Sequence, residues 1–122
     1  MPVKGAVIYF DGPDGAGKTT QLGKAAGALR GRGLVVHQTR SVGGTPIGEL
    51  LRTASLAPNE RPVETDLHIA LASQHALAGD VIARRERAEI VLIDRSPLSI
   101  VAYQVFGDGL NQQTGYQAAD EI

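Results

Sequence analysis

No cysteine occurs among the 122 residues, so disulfides and thiolate metal sites are excluded, and nothing points to an oxidising compartment. Tryptophan is absent too, and aromatics make up only 4%. The core therefore has to be built from Val, Ile, Leu and Ala. Neither sign of charge dominates: twelve basic and thirteen acidic residues leave a net charge of -1. A general nucleic-acid binder is usually basic, so no nucleic-acid partner is expected, and anion binding should be local. Long hydrophobic runs are also missing. The opening "MPVKGAVIYFDG" is broken by charged and turn residues and does not read as a signal peptide. No segment is long enough to span a membrane. A cytoplasmic location is the expectation by default. The remaining mixture, 43% hydrophobic and 20% charged, suits one globular domain over residues 1–122.

Three short β-branched runs stand out: "AVIYF" (6–10), "LVVHQT" (34–39) and "IVLID" (90–94). Each reads as a strand buried on both faces, as in parallel sheets. Helical patterns lie between them. Leu22, Ala25, Ala26 and Leu29 follow the helical period, and Gly31 and Gly33 supply a stop. Thr45-Pro46 is a cap followed by proline at the first helical position, with Ile47, Leu50, Leu51 and Ala54 expected inward. Pro62 to Arg87 reads as one long helix with Leu67, Ala70, Leu71, Leu77, Ala78, Val81 and Ile82 inward, ending in a solvated "RRER". Ser96-Pro97 opens another helix through about Phe106. Strands alternating with helices give an α/β layered fold.

The stretch from Gly12 to Thr19 fits G-x-x-x-x-G-K-[ST], with a strand before it and an amphipathic helix after it. Glycines let the backbone curl with its N–H groups inward, and the helix N-terminus adds partial positive charge. Gly12, Gly15, Ala16, Gly17, Lys18, Thr19 and Thr20 are thus candidates for binding ATP phosphates. Lys18 suits the β- and γ-phosphates, and the Thr19 hydroxyl suits Mg²⁺. A Gly-rich strand–helix turn satisfies the same pattern without a ligand. Asp94 ends a hydrophobic strand, where a carboxylate near Mg²⁺ sits in P-loop enzymes. A strand-end aspartate also caps a following helix.

Several separated motifs now share one source. "YFDGPDGAGKTTQ", "TRSVGGTPIGELLR" and "DRSPLSIVAYQ", followed by "GDGL", resemble in order the segments of the thymidylate kinase family. The resemblance implies a P-loop parallel sheet of three strands in the order 2-3-1, flanked by helices and incomplete at its C-terminal side. The first strand would then be an edge. It implies transfer of the ATP γ-phosphoryl to dTMP, with ATP and Mg²⁺ bound, in a homodimer. Lys18, Asp94 and Arg95 would be the catalytic set, with Thr19 and Asp94 on the metal. Asp14 would hold the 3′-hydroxyl of the sugar, and Arg95, Arg40 and Arg52 the monophosphate. Ser99, Tyr103 and Gln104 would lie along base and sugar, and His68 would stand where the family carries a Phe that stacks on thymine. Arginine suits the phosphate role because its planar fork binds bidentately and keeps its charge.

Departures from the family pattern are equally specific. Ser41-Val42 replaces Glu-Pro, Asp11 replaces Glu, and Ser96 replaces the Tyr of "DRY". Aligning "LHIALASQH" on Gln74-His75 puts Ala72 where the family has an arginine that reads the thymine edge. The chain reaches Ile122, before the family's last strands, Arg-rich lid and adenine loop. Gly15 stands where some members carry a catalytic arginine, and members with this glycine usually draw one from the lid. Three readings follow: a dTMP kinase, a P-loop kinase of another deoxynucleotide, and a nucleotide-binding module without turnover.

Overall fold

The computed structural model describes residues 4–12 and 17–102. Within them, strands β1 (Ala6–Phe10), β2 (Val36–Ser41) and β3 (Ile90–Arg95) form one parallel sheet in the order β1-β3-β2. This is the expected 2-3-1 order. Helices α1 (Lys18–Gly31), α2 (Pro46–Leu56), α3 (Val63–Glu86) and α4 (Pro97–Ala102) complete the chain order.

The central strand is β3, and only it is buried on both faces, as its unbroken "IVLI" run requires. Val91 and Ile93 pack under Leu77 and Val81 of α3, with Val7 and Tyr9 beside them. Leu92 faces the other way, against Leu22 and Ala26 of α1, Val36, and the partly buried Ile90 and Phe10. Strand alternation thus builds two apolar layers, one per helix. Each fully buried Leu, Ile or Val contributes about 1.5–3 kcal/mol. A third cluster, Val42, Ala70 and Ala102 with Leu51 and Leu98, joins α3 and α4 to the turn after β2.

The outer strands are less covered than their apolar runs imply. β2 begins at Val36, because Leu34 and Val35 are exposed and lead into the sheet rather than lying in it. β1 is an edge among the described residues. Its Ile8 is 40% exposed, since α1 packs over β3 and β2 instead.

Helix ends follow their sequence signals. After α1, Gly33 adopts φ 83, its N–H bonds to Arg30 O, and Leu34 N–H bonds to Leu29 O. That pair of bonds is the Schellman stop that a glycine in the left-handed region permits. Thr45 Oγ1 accepts the Gly48 N–H at 2.9 Å, confirming the cap of α2. The inward face of α2 is not the expected one. Ile47, Leu50 and Ala54 are exposed, whereas Gly48 is buried and Leu51 and Arg52 are half-buried. Gly48 lies so close to the turn that an added Cβ would sit 2.6 Å from Gly43 O. This close approach, not the apolar stripe, sets the rotation of the helix. On α3 only Ile82 departs, being half-exposed.

Two substitutions check this layering by urea denaturation. Leu77→Ala should cost about 2–5 kcal/mol, because it leaves a cavity under Val91 and Ile93. Val35→Ala should stay within about 0.5 kcal/mol. A loss at Val35 as large as that at Leu77 would place it inside the sheet after all.

Candidate functional site

Register decides which side chains meet at the carboxyl end of the sheet, the usual ligand end of open α/β sheets. Phe10, Asp94 and Arg40 are partners across the three strands, and Ser41 pairs with Arg95 one step further on. By alternation from Leu92, Asp94 and Arg40 fall on the α1 side. Arg95 and Ser41 fall on the α3 side.

On the α1 side, Gly17 takes φ 79, a left-handed conformation that favours glycine, and caps the start of α1. The next residue, Lys18, is turned inward and is only 7% exposed. Its ammonium sits 2.7 Å from Asp94 Oδ1 and donates to Gly12 O at 3.0 Å and Arg95 O at 3.1 Å. A buried charge needs such partners. The glycine loop is thereby tied to the end of β3.

Around this pair lies a cleft of about 590 Å³ lined by Gly17, by Lys18, Thr19 and Thr20 from α1, Arg40 and Ser41 from β2, Arg52 from α2, and Asp94 and Ser96. A second cavity of about 360 Å³ adjoins it, lined by Leu22, Gln38, Gly44 and Glu49 together with Thr19, Arg40 and Asp94. Arg40 is gripped by Glu49, Nη2 to Oε1 at 2.5 Å and Nε to Oε2 at 3.3 Å. Glu49 also accepts the Gly44 N–H at 2.7 Å. The Arg40 contact first, and the Gly44 N–H second, pull the Glu49 carboxyl from 4.5 down to about 2. Arg52 donates from Nη1 to Val42 O at 3.1 Å, which fixes its root beside the cleft.

The sequence-derived candidates therefore divide. Gly12, Gly17, Lys18, Thr19, Thr20, Arg40, Arg52 and Asp94 converge on or beside one cleft. Arg95 does not line it. Its strand position turns it to the α3 side, where its guanidinium lies 4.7 Å from the centre of the Tyr9 ring and Nε is 3.8 Å from Asp11 Oδ1. Ser99 does not line it either. It is fully buried, and its hydroxyl joins Ser41 Oγ at 2.9 Å and Gln74 Oε1 at 2.9 Å. Ser41 also donates to Gln74 at 2.5 Å. His68 is exposed on α3 and lines neither cavity. Asp14, Gly15, Ala16, Tyr103 and Gln104 lie outside the described residues. Sequence reasoning passed over Glu49, Ser41 and Ser96. The one signal for Glu49 was its place in the "GTPIGE" segment, directly beyond the glycine turn.

Thr19 and Asp94 offer hard oxygen donors on the cleft wall. They fit Mg²⁺, which takes one or two protein oxygens and completes its shell with water and phosphate.

Comparison with known proteins points to one family. The family model for thymidylate kinase matches residues 10–122. A thymidylate kinase of Pseudomonas savastanoi pv. phaseolicola is 40% identical over 113 residues, 89% of this chain and 53% of that protein. One from Thermomicrobium roseum is 42% identical over 106 residues, 86% of this chain and 50% of that protein. The crystal structure of a thymidylate kinase from Ehrlichia chaffeensis superposes with a TM-score of 0.71 at 27% identity, covering 99% of this chain and 67% of that one. This chain thus spans about half the length of the curated relatives it matches.

Two measurements test the site. Lys18→Ala should abolish ATP binding in a calorimetric titration, because the one ammonium that lines the cleft among the described residues is removed; retained affinity would make the glycine loop a turn and nothing more. Glu49 should titrate near pH 2 by carboxyl NMR. Its folded value lies below its ordinary one, so its stabilising contribution is present above about pH 4.5 and fades as pH falls toward 2. A midpoint at the ordinary value would mean that the Arg40 grip is absent in solution. From its three motifs, its β1-β3-β2 parallel sheet and these matches, the chain belongs to the thymidylate kinase family of P-loop nucleotide kinases.

Proposed function

We propose that the protein transfers the γ-phosphoryl of ATP to dTMP, giving dTDP. The observation that carries this reading is one cleft lined by cationic groups from three elements: Lys18 at the start of α1, Arg40 from β2 and Arg52 from α2, with Asp94 paired to Lys18. Lys18 and the first-turn amides of α1 take the β- and γ-phosphates of ATP. In doing so Lys18 exchanges part of its contact with Asp94 for phosphate oxygen; Asp94 and Thr19 are the residues that would hold Mg²⁺. When bound, Mg²⁺ neutralises charge on the β- and γ-phosphates. Arg40 and Arg52 receive the acceptor monophosphate, bringing its oxygen in line with the γ-phosphorus. Positioning and electrostatics then supply most of the rate.

Base choice is the finer part of the proposal. Ala72, exposed on α3, stands where the family's edge-reading arginine stands and has no hydrogen-bonding group. That observation favours a second reading, phosphorylation of a different deoxynucleoside monophosphate. Self-association is part of the same proposal. Ile47, Leu50 and Leu56 on α2 and Val63 and Ile82 on α3 are exposed apolar side chains, which supports a homodimer formed through helices. A sedimentation-equilibrium mass of one chain would remove the dimer.

Coupled-assay kinetics on the whole gene product test the reaction. ADP release should require an added monophosphate, and dTMP should give the highest kcat/KM. Failure with every monophosphate would leave only a non-catalytic nucleotide-binding role. If Ala72 relaxes base choice, Ala72→Arg should raise preference for dTMP by about tenfold, the worth of one good hydrogen-bonded contact. An unchanged ranking of acceptors would show that position 72 does not face the base.

A further inference from the structure

Glu49 is not one of these phosphate-binding groups, yet it makes the most elaborate polar contact beside the cleft. Its two carboxylate oxygens hold Nη2 and Nε of Arg40, and Oε2 takes the Gly44 N–H as well. The turn is shaped around this carboxylate. Gly43 has φ 126, and a Cβ built on it would stand 2.2 Å from Glu49 Oε2. Stability alone is a poor explanation for so specific an arrangement. The Arg40 and Glu49 side chains are 48% and 44% exposed, and ion pairs in that much solvent contribute little. What the pair does supply is order. A flexible guanidinium is fixed by a fork-to-fork contact that uses Nε and Nη2, and Nη1 has no protein partner among the described residues.

The alternative partner for Arg40 is close. Asp94 is its register neighbour on β3, lies on the same face, and acts electrostatically on its guanidinium. Arg40 paired to Asp94 would occupy the carboxylate that Lys18 now uses and would be withdrawn from a phosphate in the cleft.

We infer that Glu49 is a positioning residue for the acceptor: it holds Arg40 away from Asp94, in the orientation that receives the phosphate monoester of the substrate to be phosphorylated. This rests on the kinase reading above. Glu49 itself touches no substrate and acts through Arg40.

A double-mutant cycle on the whole gene product tests it, with wild type, Glu49→Gln, Arg40→Ala and the double variant. Glu49→Gln should raise KM for the monophosphate about tenfold and move KM for ATP less than about twofold. The double variant should be no worse than Arg40→Ala alone, because the two residues act as one unit. An unchanged monophosphate KM in Glu49→Gln, equal rises in both KM values, or effects that multiply in the double variant would each overturn the inference. Should Glu49→Gln fail to fold, Glu49→Asp keeps the charge, shortens the reach by one carbon, and is read by the same KM split. Wild-type enzyme that phosphorylates no monophosphate overturns the kinase reading and this inference with it. Active wild type with an unaltered Glu49→Gln overturns the role of Glu49 alone.

Discussion

The contact between Lys18 and Asp94 is the constraint on which the rest depends. One ammonium, nearly withdrawn from water, is shared by a carboxylate at the end of β3, the carbonyl of Gly12 after β1, and the carbonyl of Arg95. It joins the helix that follows the glycine loop to the central strand of the sheet. A buried cation of this kind is costly without partners.

Strand parity distributes the remaining chemistry. Even-numbered residues at the end of β3 and β2, Asp94 and Arg40, face α1, whereas Arg95 and Ser41 face α3. The α3 side is used for support. Ser41, Gln74 and Ser99 bond to one another in the interior, and Gly43 N–H donates to Ser73 Oγ at 2.9 Å. These contacts hold the turn from which Gly43, Gly44 and α2 present Glu49 and Arg52. The Ser41 hydroxyl thus takes its place in a buried polar network.

Much of this was legible in the chain, for identifiable reasons. β3 could be read because a strand covered on both faces is apolar throughout. The phosphate loop could be read because Gly17, Lys18 and Thr19 obey a spacing set by phosphate geometry. Legibility failed where tertiary contact overrides a local pattern. Leu34 and Val35 look like strand but precede an edge strand that needs no cover there. Ile47 and Leu50 look inward, but the approach of Gly48 to Gly43 rotates α2. Ser99 looked like a substrate contact from its motif. Its partners, Ser41 and Gln74, lie 58 and 25 residues away and meet it only through the topology. Arg95 was placed on the monophosphate by the resemblance of its Asp-Arg pair, and strand alternation turns it to the α3 side, beside Tyr9.

Thermal stabilisation of this chain by nucleoside monophosphates, with and without Mg·ATP, tests most directly whether one cleft serves both phosphates. A ligand that binds only the folded state raises Tm by mass action. The account predicts a shift with dTMP larger than with other monophosphates, and a further shift when Mg·ATP is added. A shift with Mg·ATP and none with any monophosphate would contradict it, leaving Lys18 with a nucleotide and Arg40 and Arg52 without an acceptor.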